Sequence, residues 1–183
     1  MKKSRGFTLI ELMITIVIMS IIIAIAVPSM SSFVIKQRIQ SQVDELMLAL
    51  VYARTEALKH NNVVYVIPNG STAEDWQNNG WCVVLKNSTG VNESCSSASN
   101  NILKIFESKK NIKTVTSYTT QGALRLNFTA QGTLGVAANM FKIYSSELSD
   151  AQRDAALRCI FINKQGRARV EKYTPGAEGQ CKI

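Results

Sequence analysis

The sequence from Lys2 to Ile35 reads KKSRGFTLIELMITIVIMSIIIAIAVPSMSSFVI and decides the class of fold. Between Glu11 and Lys36 it runs for 24 consecutive residues without a charge. A helix needs about 20 apolar residues to cross about 30 Å of hydrocarbon, so this run predicts a membrane helix. Three basic residues precede it, and the positive-inside rule therefore places the N-terminus in the cytoplasm and the chain after Lys36 outside. Those residues are Lys2, Lys3 and Arg5.

An ordinary secretory signal peptide is the alternative for the N-terminus, since it also has basic residues before an apolar run. Two features of the sequence argue against it. No small-x-small cleavage site follows the run, and an acidic residue, Glu11, stands at its leading edge. A carboxylate at the edge of a membrane helix is costly without a partner, so Glu11 is predicted to meet a cation.

The segment from Lys2 to Ile18 resembles the class III signal of type IV pilins and type II secretion pseudopilins. The shared features are a short basic leader, the letters GFTLIE and an unbroken apolar helix. The resemblance implies that a prepilin peptidase cuts between Gly6 and Phe7, that the new amine is methylated, and that Glu11 meets the Phe7 amine of a neighbouring pilin in a filament. It implies three parts: a leader at 1–6, a transmembrane and filament-core helix at 7–35, and a periplasmic globular domain at 36–183. The protein would then be a single-pass inner-membrane protein that reaches the cell surface in a pilus.

The four cysteines of the chain are even in number and fit no metal-ligand spacing. In an exported domain they predict disulfides, with four buried free thiols as the alternative. Of the three possible pairings the local one is favoured, which joins Cys82 to Cys95 and Cys159 to Cys181.

Apolar residues continue after Pro28, a helix-breaking residue at which a bend is expected. They are spaced three or four residues apart, which predicts one apolar stripe along a helix. The helix is predicted to end near Asn61 or Asn62. The stripe comprises Ile35, Ile39, Val43, Leu46, Leu50, Ala53 and Ala57.

Eight short runs rich in β-branched and aromatic residues follow, separated by Gly, Asn and Ser, and predict strands. They lie at 63–67, 81–85, 102–106, 113–118, 124–128, 141–144, 158–162 and 168–173. Residues 145–157 are predicted as a loop, with a short helix over 147–157 capped by Ser149 as the alternative. One long helix packed on antiparallel strands is an α+β fold of the type IV pilin kind.

No catalytic constellation emerges from the sequence. His60 is the only histidine and lies at the predicted end of a helix, where a solvated or capping role is expected. No phosphate-binding loop, nucleophile elbow or metal-ligand cluster is present in the sequence. We therefore expect a protein that is not an enzyme and has no metal or cofactor.

The globular half resembles the GspH/FimT group of minor pilins and pseudopilins, around residues 124–133 and 158–169. The FimT branch binds DNA in natural transformation, and its motif for this is G-R-x-R near the C-terminus. The motif is matched at Gly166, Arg167, Ala168 and Arg169. The resemblance implies a DNA-binding role for this region.

The distribution of charge agrees with that implication. Residues 7–157 hold 12 basic and 11 acidic side chains, whereas residues 158–183 hold six basic and two acidic ones. The residues from Asn163 to Gly166 are typical of a turn and predict a hairpin. Alternation along its second strand should place Arg167 and Arg169 on one face, about 6.5 Å apart. Guanidinium forks suit phosphate oxygens, and a Cys159 to Cys181 disulfide would tether the tail at 163–183. The predicted site for double-stranded DNA comprises Lys164, Gly166, Arg167, Arg169 and Lys172.

Three functions remain open at this point. The protein is a DNA-binding minor pilin, a structural minor pilin that primes or caps a filament, or a pseudopilin of a secretion system. A basic hairpin that only faces solvent or anionic lipid is the alternative to a DNA site, since Glu171 could neutralise Arg169.

Overall fold

A computed structural model describes residues 7–70, 76, 79–86, 95, 101–116, 125–135, 139–174 and 181, with the main chain alone at 26–29 and 139. The chain divides into two compact units, Met1–Ile35 and Lys36–Ile183. The predicted cleavage residue Gly6 lies outside the described residues.

The long helix α1 spans Leu9–His60 and begins with a capping box. The Glu11 carboxylate accepts hydrogen bonds from the Thr8 main-chain N–H at 2.9 Å and from the Thr8 hydroxyl at 3.0 Å. The Glu11 N–H donates back to the Thr8 hydroxyl oxygen. This reciprocal pattern satisfies main-chain donors that a helix start leaves free. Glu11 therefore already has a local structural role within its own chain.

The apolar side chains of the first unit are exposed around the whole helix, from Leu9 to Ile25. Such a helix is stable only in an apolar environment. In the part of the chain that the structure describes, no single straight helix meets the length and hydropathy of a membrane span, but the bent pair Leu9–Ile25 and Met30–His60 does so together. Pro28 lies between the two segments of that pair.

The second part of α1 buries the predicted apolar stripe. Its six members from Ile39 to Ala57 are at most 2% exposed, whereas Ile35 is half-buried. The helix ends in a Schellman motif: Asn61 has φ +47°, and the N–H groups of Asn61 and Asn62 donate to the Leu58 and Ala57 carbonyls. The predicted stripe and the predicted helix end are confirmed.

In the part of the chain that the structure describes, eight strands form two antiparallel sheets of four strands each. The first sheet has the order β3-β2-β1-β5 and the second has the order β4-β6-β7-β8. All eight predicted strands have a counterpart, with shifts of one or two residues at some ends. The predicted strand residues 117, 118 and 124 lie outside the described part of the chain. Their bounds are β1 Val64–Pro68, β2 Trp81–Leu85, β3 Ile102–Phe106, β4 Ile112–Thr116, β5 Leu126–Phe128, β6 Asn139–Ser145, β7 Arg158–Ile162 and β8 Ala168–Lys172.

The predicted short helix is present as α2, Asp150–Ala156. Ser149 occupies its N-cap position, but the serine side chain makes no capping hydrogen bond. The predicted N-cap position of Ser149 is therefore confirmed, but the serine side chain does not supply the hydrogen bond. The Ser149 carbonyl accepts from the Arg153 N–H instead.

The core lies between α1 and the inner faces of the sheets. Buried Gln42 of α1 donates to the Thr114 hydroxyl of β4 at 3.4 Å and accepts from the Lys109 N–H at 2.8 Å. Trp76 stacks on Trp81 of the first sheet and contacts Phe141 of the second at a centroid distance of 5.0 Å. Burying these aromatic rings links the two sheets through one apolar core.

Both predicted disulfides are present. Cys82 pairs with Cys95 and Cys159 pairs with Cys181, with Cα–Cα distances of 5.8 and 5.9 Å. The second disulfide joins β7 to the tail that follows β8. Cys159 and Cys181 share a buried cluster with Leu157 and Phe161.

Candidate nucleic-acid interface

The basic stretch that follows β7 is a tight hairpin. Ile162 pairs with Ala168, and the Asn163 N–H donates to the Arg167 carbonyl at 3.1 Å. The Gly166 N–H donates to the Asn163 carbonyl at 2.9 Å, and Gly166 has φ +74°. This is a three-residue loop in which a turn is followed by a left-handed residue. The Asn163 side chain adds an acceptor for the Arg167 N–H at 2.9 Å.

A second turn of the same kind follows β5. The Gly132 N–H donates to the Thr129 carbonyl at 2.8 Å, the Thr129 N–H donates to the Thr133 carbonyl at 2.9 Å, and Gly132 has φ +72°. The two turns have related letters, FTAQGTL and INKQGRA. We call residues 129–132 and 163–166 the twin turns.

The twin turns dock on each other. The Leu134 N–H donates to the Lys164 carbonyl at 3.0 Å. A Cβ atom on Gly166 would lie 2.5 Å from the Gly132 carbonyl oxygen and 3.2 Å from the Phe128 ring. The position therefore requires glycine both for its positive φ and for the close approach of another main chain.

Arg54 of α1 fixes this pair of turns to the helix. Its Nε donates to the Gly132 carbonyl oxygen at 2.9 Å. The hairpin tip is thereby held through Gly132 to α1, and its basic side chains project from a fixed base. No sequence signal points to Arg54, because it lies 112 residues before Gly166 and only the folded chain brings the two residues near each other. The repeated letters Q-G were the available signal for the twin turns.

Lys164 and Arg167 are the exposed cations at the tip of the hairpin. Among the described residues, no carboxylate oxygen lies within 4.0 Å of either side chain. Arg167 also lines an open groove of about 410 Å³ between the hairpin and α1. Both cations are thus available to an anionic partner.

Arg169 is partly neutralised, as the sequence alternative anticipated. Its Nε lies 3.0 Å from a Glu171 carboxylate oxygen, and its guanidinium lies 5.4 Å from the centroid of the Phe161 ring. The side chain is 66% exposed, so solvent weakens the ion pair. A phosphate would have to compete with Glu171 for this arginine.

Lys172 belongs to a different face of the hairpin. It alternates with Glu171 along β8 and stands opposite Arg158 of β7. Arg158 donates to the carbonyls of Ala155 and Leu157, and its partial burial lowers the pKa of the guanidinium from its usual value. The predicted group of four cations is therefore divided between faces: Lys172 lies beside Arg158, while Arg169 lies on the face that carries Cys159 and Phe161.

The other predicted residues lie elsewhere. His60 at the end of α1 contacts the Glu56 carboxylate, its Nε2 lying 3.1 Å from Oε2. Phe7 is 87% exposed next to the start of α1. No group of three His, Cys, Asp or Glu side chains suited to a metal is found among the residues described.

Comparison with known proteins places this geometry in a family. Residues 42–166 match the family of the type II transport protein GspH, and residues 1–27 match the prokaryotic N-terminal methylation motif. No curated protein matches the sequence at a significant level.

Two kinds of solved structure are similar to this chain. The type IV minor pilin FimU of Pseudomonas aeruginosa has 25% identity and a TM-score of 0.51, over 72% of this chain and 91% of that one. A second crystal form of FimU has 24% identity and a TM-score of 0.54, over 76% and 92%. The minor pseudopilin EpsH of the Vibrio cholerae type 2 secretion system has 12% identity and a TM-score of 0.50, over 78% and 98%.

The methylation motif implies processing by a prepilin peptidase, membrane anchoring and assembly with other pilins. The GspH match covers more than half of the chain, and the long helix followed by two antiparallel sheets agrees with it. The chain therefore belongs to the GspH family, as a type IV minor pilin or pseudopilin.

Proposed function

We propose that this protein is a minor type IV pilin that binds double-stranded DNA without sequence preference, for DNA uptake in natural transformation. The observation that carries the proposal is the hairpin tip, where Lys164 and Arg167 project from the docked twin turns and have no carboxylate partner among the residues that the structure describes. Contacts of such cations with phosphates position DNA but do not read its sequence. The globular domain would face the periplasm, with the FimT-like motif Gly166 to Arg169 at its DNA site.

The rigidity of the turn supports this role. The main-chain hydrogen bonds of the twin turns, the Arg54 contact and the Cys159–Cys181 disulfide all restrict the hairpin before any ligand arrives. A restricted site loses less conformational entropy on binding. Guanidinium groups also form paired hydrogen bonds with phosphate oxygens, which favours Arg167 over a lysine at that position.

The affinity is expected to be modest. Lys164 and Arg167, with a share from Arg169, would neutralise about two to three phosphates, and the slope of log K against log salt should be about −1.8 to −2.7. Binding should then weaken about ten- to fortyfold between 50 and 200 mM salt, from a micromolar starting point. Repeated engagement of one long polymer compensates for such weak contacts.

The test is a titration of blunt duplex DNA with the full chain in a non-ionic detergent, with anisotropy as the readout. Lys164→Gln with Arg167→Gln should abolish measurable binding, whereas Lys36→Gln with Arg38→Gln, which removes the same charge at the other end of the domain, should change little. Glu171→Gln should strengthen binding, because it releases Arg169. Parent-like affinity in the Lys164 and Arg167 double variant would refute the proposal.

A structural role in priming a filament is the second candidate. It is favoured by the similarity to FimU, a type IV minor pilin, over 91% of that chain. A role as a pseudopilin of a secretion system is the third candidate, and it corresponds to the similarity of fold to EpsH. Absence of DNA binding by the parent chain at 50 mM salt would leave these two roles.

A further inference from the structure

The outer face of the second sheet carries cations between aromatic and apolar side chains. Register pairs Lys113 with Tyr144 and Val115 with Lys142 on neighbouring strands. These four side chains are half-buried. The residues that alternate with them along β4 and β6, among them Ile112 and Ser145, are buried in the core. The face is thus solvent-accessible and is not made of polar residues alone.

A depression of about 250 Å³ lies at one end of this face. Val115 and Leu157 provide apolar surface, Tyr144 provides an aromatic ring, and two cations complete the lining. Those cations are Lys142 and Arg153. The volume is below the roughly 300–1,000 Å³ of pockets for drug-sized ligands, so it suits a single planar ring.

The charge around the depression matches one phosphodiester. Arg153 is paired with Asp150 at 3.1 Å and lies 4.0 Å from Asp154. Lys142 and Lys113 have no carboxylate within 4.0 Å among the residues that the structure describes. Among the described side chains on or beside this face, four cations and three carboxylates leave an excess of one positive charge. The cations are Lys113, Lys142, Arg153 and Arg169, and the carboxylates are Asp150, Asp154 and Glu171.

The depression shares its face with part of the proposed DNA site. Lys142 pairs with Cys159, and Phe161 of the same strand pairs with Arg169 of β8. Glu171, which pairs with Cys159, therefore lies directly across from Lys142, and Arg169 lies two residues farther along β8, about 12 Å from Lys142. Arg169 and Lys142 flank the buried Cys159–Cys181 disulfide, so a nucleic-acid strand that reaches Arg169 from the hairpin must pass over that disulfide to reach Lys142.

We propose that this depression binds one unpaired nucleotide of a strand held by the hairpin, with the base against Tyr144 and the adjacent phosphate at Lys142. The proposal rests on the proposed DNA-binding function. A paired base is enclosed within its stack and cannot enter such a depression, whereas an unpaired base can. Aromatic side chains in a cationic groove are the usual means of holding single strands, and stacking tolerates any base.

The test compares two 12-nucleotide strands of equal charge, one of thymidines and one abasic, on the full chain in non-ionic detergent. The thymidine strand should bind at least about fivefold tighter, as expected from stacking of one base. Tyr144→Leu should remove this preference and Tyr144→Phe should keep it, with thermal unfolding confirming that both variants fold.

Lys142→Gln should weaken both strands and reduce the magnitude of the salt slope by about 0.7, the value for one phosphate of a single strand. Lys86→Gln removes an exposed cation at the end of β2 in the other sheet and should change neither strand. Equal binding of the two strands by the parent chain, with duplex binding retained, would overturn the nucleotide site alone. If the parent chain binds neither the single strands nor duplex DNA, both the nucleotide site and the proposed DNA-binding function of the hairpin are overturned.

Discussion

Replacing Gly166 by alanine should destabilise the globular domain, although it removes no side-chain contact. Gly166 has φ +74°, where an L-residue costs about 1–2 kcal/mol. The new Cβ would also lie 2.5 Å from the Gly132 carbonyl oxygen, so the main chain of one twin turn must move. Overpacking of this kind costs about 1–3 kcal/mol. The lower entropy of the unfolded alanine chain offsets about 0.4–1 kcal/mol.

The free energy of unfolding should therefore fall by about 2–4 kcal/mol for Gly166→Ala. For a domain of this size each kcal/mol lowers the melting temperature by about 2–4 °C, so a decrease of about 5–15 °C is expected. Urea unfolding followed by tryptophan fluorescence measures the first quantity, and thermal circular dichroism measures the second. DNA affinity should fall as well, since the base of Lys164 and Arg167 is displaced.

Gly132→Ala is the matched control. Gly132 has φ +72°, but its new Cβ would meet the flexible side chains of Leu58 and Arg54 at 3.2 and 3.3 Å. Only the backbone strain remains, so the loss should be about 1 kcal/mol. In Gly166→Asn the asparagine tolerates the positive φ, but its Cβ still meets the Gly132 carbonyl oxygen. The free energy of unfolding of this variant should therefore lie between those of the two alanine variants. Equal stability of Gly166→Ala and Gly132→Ala would refute the close-approach argument.

Glu11→Gln separates two roles of Glu11: glutamine can still close the capping box with Thr8, but it cannot pair with a neighbouring Phe7 amine. Incorporation into filaments, measured by immunoblot of sheared pili, should therefore fail for Glu11→Gln and Glu11→Ala alike, and normal incorporation of Glu11→Gln would leave capping as the only role. Cys159→Ser with Cys181→Ser opens a loop whose ends are 22 residues apart and should lower the free energy of unfolding by about 3 kcal/mol in urea. The matched pair Cys82→Ser with Cys95→Ser should lose a similar amount but keep DNA affinity; unchanged affinity in both pairs would show that the tail disulfide does not support the hairpin.

Most of the architecture could be predicted because its signals are local. The apolar stripe from Ile39 to Ala57 repeats every three or four residues, and each strand carries its own β-branched run between turn residues. The hairpin at Asn163 to Gly166 depends on turn chemistry within four positions. The capping box of Thr8 and Glu11 is a local signal too, since both residues lie within four positions of the chain.

The site could be predicted only in part. The basic residues of the site can be identified in the sequence, but which of them form ion pairs with carboxylates depends on the fold. Arg169 is shared with Glu171, and Lys172 faces away from Arg169 beside Arg158. Strand alternation by itself places Arg169 and Lys172 on opposite faces, because they are three residues apart. Which of them shares a face with Phe161 and which with Arg158 depends on the register of β8 against β7.

The sequence by itself determined the long helix, the eight strands of the described residues and the position of the basic hairpin, since each follows from periodicity, turn residues or composition within a short window. For the disulfides it favoured the local pairing over the two others, and the folded chain decided it. Tertiary structure alone decided that the twin turns dock, that Arg54 holds Gly132, and that Lys142, Tyr144 and Arg153 line one depression. The physical reason is that these contacts join residues far apart in the chain. Their distances depend on sheet register and on core packing, which no local pattern of residues encodes.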